Sequence, residues 1–316
     1  MRDLAVVIVS YNSAPWLRPC LSSLYEHAGD VRLNVIVVDN GSTDGSVELI
    51  EREFPQVRAV RAENRGFSAG NNAGLQFVSA PYVLFLNPDT EILDGTFGEL
   101  LDLIEARPSV GLIGCRQVAA DGTLHPTIRR FPSVARYLFA SLGSERLPFD
   151  ASWLGERVRK QSAYDREIRC DWTSGSFMLA RTDAVLAAGA FDERYFLYSE
   201  EPDLCLRLNR LGWEVRHVPA MTIIHHAGKA GLNERLVAQD AYSRQQFLEK
   251  NLSPGRRRLA LLGYAIGYVL RSGYLTTDPE LRELRRACAL RALRTLRGRV
   301  PPPFEGVTSS SAANGT

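Results

Sequence analysis

The sequence is short of cysteine, of net charge and of long apolar runs, and each shortage removes a class of protein. Its five cysteines, Cys20, Cys115, Cys170, Cys205 and Cys288, are scattered, odd in number and never in a C-x-x-C pair. That argues against a disulfide framework and for free buried thiols in a reducing compartment. The balance of 38 basic and 36 acidic residues leaves +2, so bulk charge gives no argument for nucleic acid. No apolar stretch reaches the roughly 18–20 residues of a spanning helix. The start, MRDLAVVIVSYN, lacks the apolar length and cleavage site of a signal peptide. It reads as a first strand of a cytoplasmic protein. Neither G-x-G-x-x-G after that strand nor G-x-x-x-x-G-K-[ST] is present, which argues against a dehydrogenase and a P-loop NTPase.

What is there is a soluble globular chain of 316 residues, 45% apolar and 23% charged, enough for one large or two modest domains. Leu4–Val9 is a near-continuous apolar, β-branched run, the mark of a strand buried on both faces. Ala14–His27 reads as a helix, with Pro15 in its first turn and Leu17, Leu21 and Leu24 at helical spacing. Strand Val31–Val38, helix Ser46–Phe54, strand Val57–Arg61, a helix opened by Asn64–Gly74 and running to Val78, and strand Tyr82–Leu86 follow. Such alternation predicts an α/β fold, a mostly parallel central sheet flanked by helices.

Polar clusters end these strands: Ser10–Asn12, Asp39–Asp44 and Asn87–Asp89, with Asn64–Asn71 opening a helix. All are expected on one rim of the sheet, where ligands sit in open α/β folds. Asp39 can accept from a base N–H, and Ser10, Asn12, Asn64 and Asn71 can hydrogen-bond base and ribose. Asp89 can hold a hard divalent cation against a diphosphate. Each has a plainer role too: Asp39-Asn40-Gly41-Ser42 is turn chemistry, and Asn71 or Asp89 could cap a helix.

Further on, helix Thr96–Arg107, strand Val110–Cys115 and a hairpin around Ala120-Asp121-Gly122 are expected. Phe131–Tyr164 lacks clear periodicity and reads as an insertion or acceptor-side lid. Cys170–Leu179 reads as one strand with a turn at Ser174-Gly175, and Thr182–Ala188 as a short helix. The helix up to Leu211 starts with Glu200, Glu201, Pro202 and Asp203. Its dipole favours the three acids, and their mutual repulsion can raise one pKa toward that of a general base. Two short strands, Glu214–Val218 and Met221–Ile224, lead to His225, a metal ligand or a core residue.

The ordered set Val9-Ser10-Tyr11-Asn12, Val38 to Asp44, Glu63 to Phe67, Asn71, Leu86 to Asp89, Glu200 to Asp203 and His225 resembles the family 2 glycosyltransferases, and among them the bacterial rhamnosyltransferase branch. The resemblance covers roughly residues 4–230. It implies a GT-A fold and inverting transfer from a nucleotide-diphospho-sugar, dTDP-rhamnose or another donor such as a UDP-hexose or UDP-galactofuranose. By motif position, Ser10, Asn12, Asp39, Asn40, Ser42, Asn64, Gly66, Asn71 and Asn87 would bind the donor. Asp89 and His225 would hold Mg²⁺ or Mn²⁺. Glu201 would be the base, and Trp172, Gly175 and Asp203 would meet a glycan or lipid-linked acceptor. Two positions depart from the pattern. Asn87 replaces the first acid of the DxD-type motif, which lowers the site's charge and leaves a catalytically silent nucleotide-sugar-binding scaffold as the rival. Glu-Glu-Pro-Asp replaces Glu-Asp-x-Asp, which leaves Glu200 and Asp203 as alternative bases.

The expected division is a GT-A domain over 1–235, a helical region over 236–300 and a disordered tail over 301–316. In the helical region Arg256-Arg257-Arg258 precedes the apolar run Leu259–Leu270, and seven arginines lie between Arg282 and Arg299. Two readings fit: a helical hairpin packed on the domain or on a second subunit, or a peripheral attachment to the inner face of the cell membrane.

Overall fold

The computed structural model describes residues 2–136, 155–226, 234–274, 279–297 and 302–304. They form two compact units, one drawn from residues 1–130, 157–192 and 200–229, the other from 131–156, 193–199 and 230–316.

The first unit carries a nine-stranded sheet. Its strands are β1 (Arg2–Ser10), β2 (Val31–Asp39), β3 (Arg58–Arg61), β4 (Tyr82–Leu86), β5 (Thr90–Asp94), β6 (Val110–Val118), β7 (Ile168–Cys170), β8 (Phe177–Arg181) and β9 (Glu214–His225). The order is β3-β2-β1-β4-β8-β6-β9-β5, with β7 pairing β9. The expected parallel pairing holds across β3-β2-β1-β4. Beyond β4 the sheet is mixed: β8 is antiparallel to β4 and β6, while β6 and β9 are parallel.

Alternation along β1 explains why both faces are covered. Leu4, Val6 and Ile8 join Leu17, Leu21 and Leu24 of α1 (Ala14–Glu26), Ile50 of α2 (Ser46–Glu53) and Leu100, Leu101 and Ile104 of α4 (Phe97–Glu105) in one buried cluster. Val7 and Val9 face α3 (Phe67–Leu75). A Cβ on Gly74 would sit 2.4 Å from Val7 Cγ1, and one on Gly70 would sit 2.7 Å from Val9 Cγ1. Glycine at these positions lets the helix approach the strand ends closely. Thr96 caps α4 through a reciprocal capping box with Glu99.

Three expectations need correction, and one strand is added. Helix α3 stops at Leu75 rather than Val78. Thr90–Asp94, to which the sequence assigns no element, is a strand antiparallel to β9. Cys170–Leu179 is two strands in different places, β7 and β8. The two short strands after Glu214 are one, β9, with a register slip between Val218 and Thr222. Pro219 lies in that slip and has no N–H for a ladder. The turn at 119–123 is present, closed by the Val118–Leu124 bridge. Helices α5 (Thr182–Ala187) and α6 (Glu200–Arg210) complete the unit. All five cysteines are free and buried, as expected.

The second unit is helical: α7 (Glu234–Asn251), α8 (Pro254–Tyr274) and α9 (Pro279–Arg297). Leu248, Ala260 and Leu261 form its core with Val134, Leu252, Tyr264 and Leu296. Phe304 stacks on Phe196 at 4.8 Å, under the Arg235 guanidinium. Among the described residues no helix is long and apolar enough to cross a membrane. Residues 137–154 of the expected lid and 305–316 of the expected tail lie outside the described residues.

Candidate active site

The rim is built by register. Ser10 pairs with Asp39 across β1 and β2, and Ile8 pairs with Leu86 across β1 and β4. The polar groups after β2 and β4 therefore flank the end of β1, about 10 Å apart at strand spacings of ~4.8 Å.

At the β2 side, Asp39 is buried and its Oδ1 accepts from the N–H groups of Gly41 (3.1 Å) and Ser42 (2.9 Å). These bonds make the expected turn and fix the carboxylate. Asn40 Nδ2 donates to Gly66 O at 3.1 Å, tying the end of β2 to the start of α3. Asn64 Oδ1 accepts from Gly66 N–H at 3.2 Å. Asn12, with φ 50°, exchanges bonds with the Ser42 hydroxyl and the Thr43 N–H and so shapes the loop. Asn71 Nδ2 donates back to Phe67 O at 3.0 Å.

At this rim five polar atoms are left buried with no partner found among the described residues: Ser10 Oγ, Asp39 Oδ2, Asn40 Oδ1, Ser68 Oγ and Asn71 Oδ1. All lie at the ends of β1 and β2 or on α3. Buried polar atoms are rarely left unpaired. A group of them at one edge can accept hydrogen bonds from a ligand carrying N–H and O–H donors. Ser68 was not among the expected residues; it sits inside an ordinary helix opening, and no local signal marks it.

At the β4 side, His225 Nε2 lies 3.4 Å from Asp89 Oδ1 and 3.5 Å from Asn87 Nδ2. The three expected residues come together because β5 turns back beside β9, pairing Thr90 with His225. His125, missed in the sequence, stands edge-on to His225 at 5.8 Å between ring centroids. Its burial, and then the neighbouring His225, lower its pKa. Beside them His226 Nε2 meets Glu91 Oε1 at 2.5 Å and stacks on Trp16 at 4.7 Å. Among the described residues no three His, Cys, Asp or Glu side chains form a metal cage. Asp89 and His225, one carboxylate and one imidazole, fit a divalent cation whose other ligands are diphosphate oxygens and water.

The third part is Glu201 in the first turn of α6. Its Oε1 accepts from Gly175 N–H at 3.1 Å. One residue on, Ser176 O accepts from Asn87 N–H at 3.1 Å. Thus Ser174–Ser176 joins the Glu201 carboxylate to the Asn87–Asp89 corner. Ser176 Oγ is held by Gln117 Oε1 at 2.7 Å. Chain entry into α6 passes through Tyr198 and Ser199 at φ 69° and 71°, conformations that non-glycine residues adopt at a cost and that cluster at functional sites.

Two expected acceptor contacts do other work. Asp203 is 1% exposed and ion-paired with Arg207 Nε at 2.8 Å, and that guanidinium also donates to Ala188 O and Ala190 O. Trp172 is buried, its indole N–H donates to Arg130 O at 2.9 Å, and Arg129 lies over its ring.

The model for glycosyl transferase family 2 matches residues 5–171. An N-acetylglucosaminyl-diphospho-decaprenol L-rhamnosyltransferase of Mycobacterium tuberculosis is 34% identical over 239 residues, 71% of this chain and 76% of that protein. The rhamnosyltransferase WbbL of Escherichia coli is 27% identical over 231 residues, 70% and 83% of the two chains. Among solved structures, a mannosyltransferase of Pyrobaculum calidifontis in complex with GDP-Man and Mn²⁺ superposes with a TM-score of 0.56 at 17% identity, over 93% of this chain and 86% of that one. GalNAc-T7 with UDP, GalNAc and Mn²⁺ gives 0.58 at 14% identity, over 91% and 54%. The fold is the GT-A type that the motifs implied. With the family model spanning residues 5–171 and a relative 34% identical over most of its length, the chain belongs to glycosyl transferase family 2.

Proposed function

We propose that the chain is an inverting rhamnosyltransferase. It moves rhamnose from dTDP-rhamnose to a hydroxyl of a lipid-linked glycan acceptor in cell-envelope polysaccharide assembly. The observation that carries the reading is the link from Glu201 through Gly175 and Ser176 to Asn87. It sets a carboxylate beside the corner where a diphosphate would lie. The sugar choice is supported by two relatives named rhamnosyltransferases, and the acceptor class by the diphospho-decaprenol in one of those names.

Donor binding falls to the β1, β2 and α3 rim. Asp39 Oδ2 accepts the base N–H, and Ser10, Asn40, Ser68 and Asn71 meet the rest of the nucleoside. Asp89 and His225 would hold Mg²⁺ or Mn²⁺, which would offset charge on the departing diphosphate. Glu201 accepts the acceptor hydroxyl proton as that oxygen attacks the anomeric carbon. The carbon–oxygen bond to the diphosphate breaks as the new bond forms, and configuration inverts. The Gly175 N–H fixes one carboxylate oxygen and so positions the carboxylate.

The test is turnover of dTDP-, UDP- and GDP-sugars with a polyprenyl-diphosphate-linked acceptor, with product configuration read by NMR. Transfer from dTDP-rhamnose with inversion is expected. Transfer from a different donor overturns the sugar assignment. Retention of configuration overturns the single displacement. Nucleotide binding without turnover of any donor favours the silent scaffold.

A further inference from the structure

Helix α8 has one face that its own unit leaves uncovered. Leu259, Leu262, Ile266 and Val269 are each between 42% and 57% exposed. At 100° per residue these positions fall within an arc of about 80°, and over about 15 Å of helix they form one stripe. The opposite face is satisfied, since Ala260, Leu261 and Ala265 are buried. Arg256 and Arg258 are exposed at the head of the stripe and flank it on either side. Helix α9, packed against α8, repeats the pattern: Leu290 and Leu293 are exposed on the same face as Arg286 and Arg294. Its other side turns inward, where Arg291 lies over Tyr242.

We propose that the α8–α9 hairpin is a docking surface for an anionic lipid bilayer. The helices lie in the interface, the aliphatic stripe enters the acyl boundary and the flanking arginines meet the headgroups. A stripe too short and too charged to span, yet apolar along its length and edged by cations, is the signature of an interfacial helix. Charge selects the bilayer over a second copy of the chain. Arginines edging a self-docking stripe would meet their own kind across a two-fold axis, whereas anionic headgroups neutralise them. The inference goes beyond the reaction and stands whether or not the proposed donor is right.

The test is co-sedimentation of the full chain with phosphatidylglycerol or phosphatidylcholine vesicles, with neither donor nor acceptor present. Binding to phosphatidylglycerol that weakens with salt, with little to phosphatidylcholine, is expected. Arg256→Gln with Arg258→Gln should weaken it about 25-fold, at roughly fivefold per basic side chain near an anionic surface. Leu262→Gln with Ile266→Gln should abolish it. Both pairs are exposed, and circular dichroism should show unchanged helicity. Absence of vesicle binding, or binding unaltered in both double variants, overturns the proposal. So does a dimer in sedimentation velocity that the Leu262 and Ile266 changes dissociate, because the stripe then belongs to a second copy.

Discussion

The Gly175 N–H donates to Glu201 Oε1 at 3.1 Å, and a Cβ on Gly175 would stand 2.8 Å from that oxygen and 2.9 Å from Glu201 Cγ. The loop and the carboxylate are thus in contact with no room for a side chain between them. Gly175→Ala should push the carboxylate aside without touching the nucleotide rim. The expected result is a fall in kcat of about 100-fold, the scale of a 1 Å misplacement of a reacting group, with donor affinity and Tm nearly unchanged. Steady-state kinetics alongside a thermal melt check it.

Asp39 has one oxygen committed to the turn and one with no partner among the described residues. Asp39→Asn can keep the turn while presenting an amide N–H where the nucleotide base offers its own. The mismatch should cost about 1–3 kcal/mol, raising the Kd for the nucleoside diphosphate by roughly 5- to 150-fold. Isothermal titration measures it. Unchanged affinity would remove Asp39 from the base site.

Asp89 and His225 meet at 3.4 Å, and no larger ligand set stands among the described residues. Two protein donors bind a divalent cation weakly until a diphosphate adds its oxygens. Mn²⁺ alone should leave Tm unchanged, while Mn²⁺ with a nucleoside diphosphate should raise it. Asp89→Asn and His225→Ala should each remove that joint rise. A rise from Mn²⁺ alone would mean a site other than this one.

His217 is fully buried on β9, with Nε2 3.2 Å from Tyr164 O. Burial, chiefly, holds its pKa below the ordinary 6.5. Unfolding therefore takes up a proton below pH 6.5 that the folded chain refuses. The resulting contribution to stability is complete above that pH and declines as pH falls toward the folded value. Tm should drop between pH 6.5 and 5, with a shallower slope in His217→Gln. Equal slopes would assign the acid loss to other groups.

The near-continuous apolar runs and helical spacings made β1 to β4 and α1 to α4 readable, because buried strands and amphipathic helices print their burial directly on the sequence. The second half of the sheet was harder to read. Thr90–Asp94 is polar for a strand, since it is held by β9 rather than by burial on both faces. Pro219 made β9 look like two strands. The polar rim was legible as a set, through Asp39, Asn40 and Asn71, whereas Ser68 and His125 carry no local signal. His125 reaches His225 only because the hairpin folds it there. Asp203 shared the acidic cluster with Glu201, but its place in α6 aims it at Arg207.

The most direct measurement compares the parent chain with Glu201→Gln in single-turnover transfer at saturating donor, with donor Kd measured on the same samples. The account predicts a loss of about 100- to 10,000-fold in the transfer rate, the range of a general base, with donor Kd unchanged. Transfer at the parent rate in Glu201→Gln would contradict it and move the proton acceptor elsewhere.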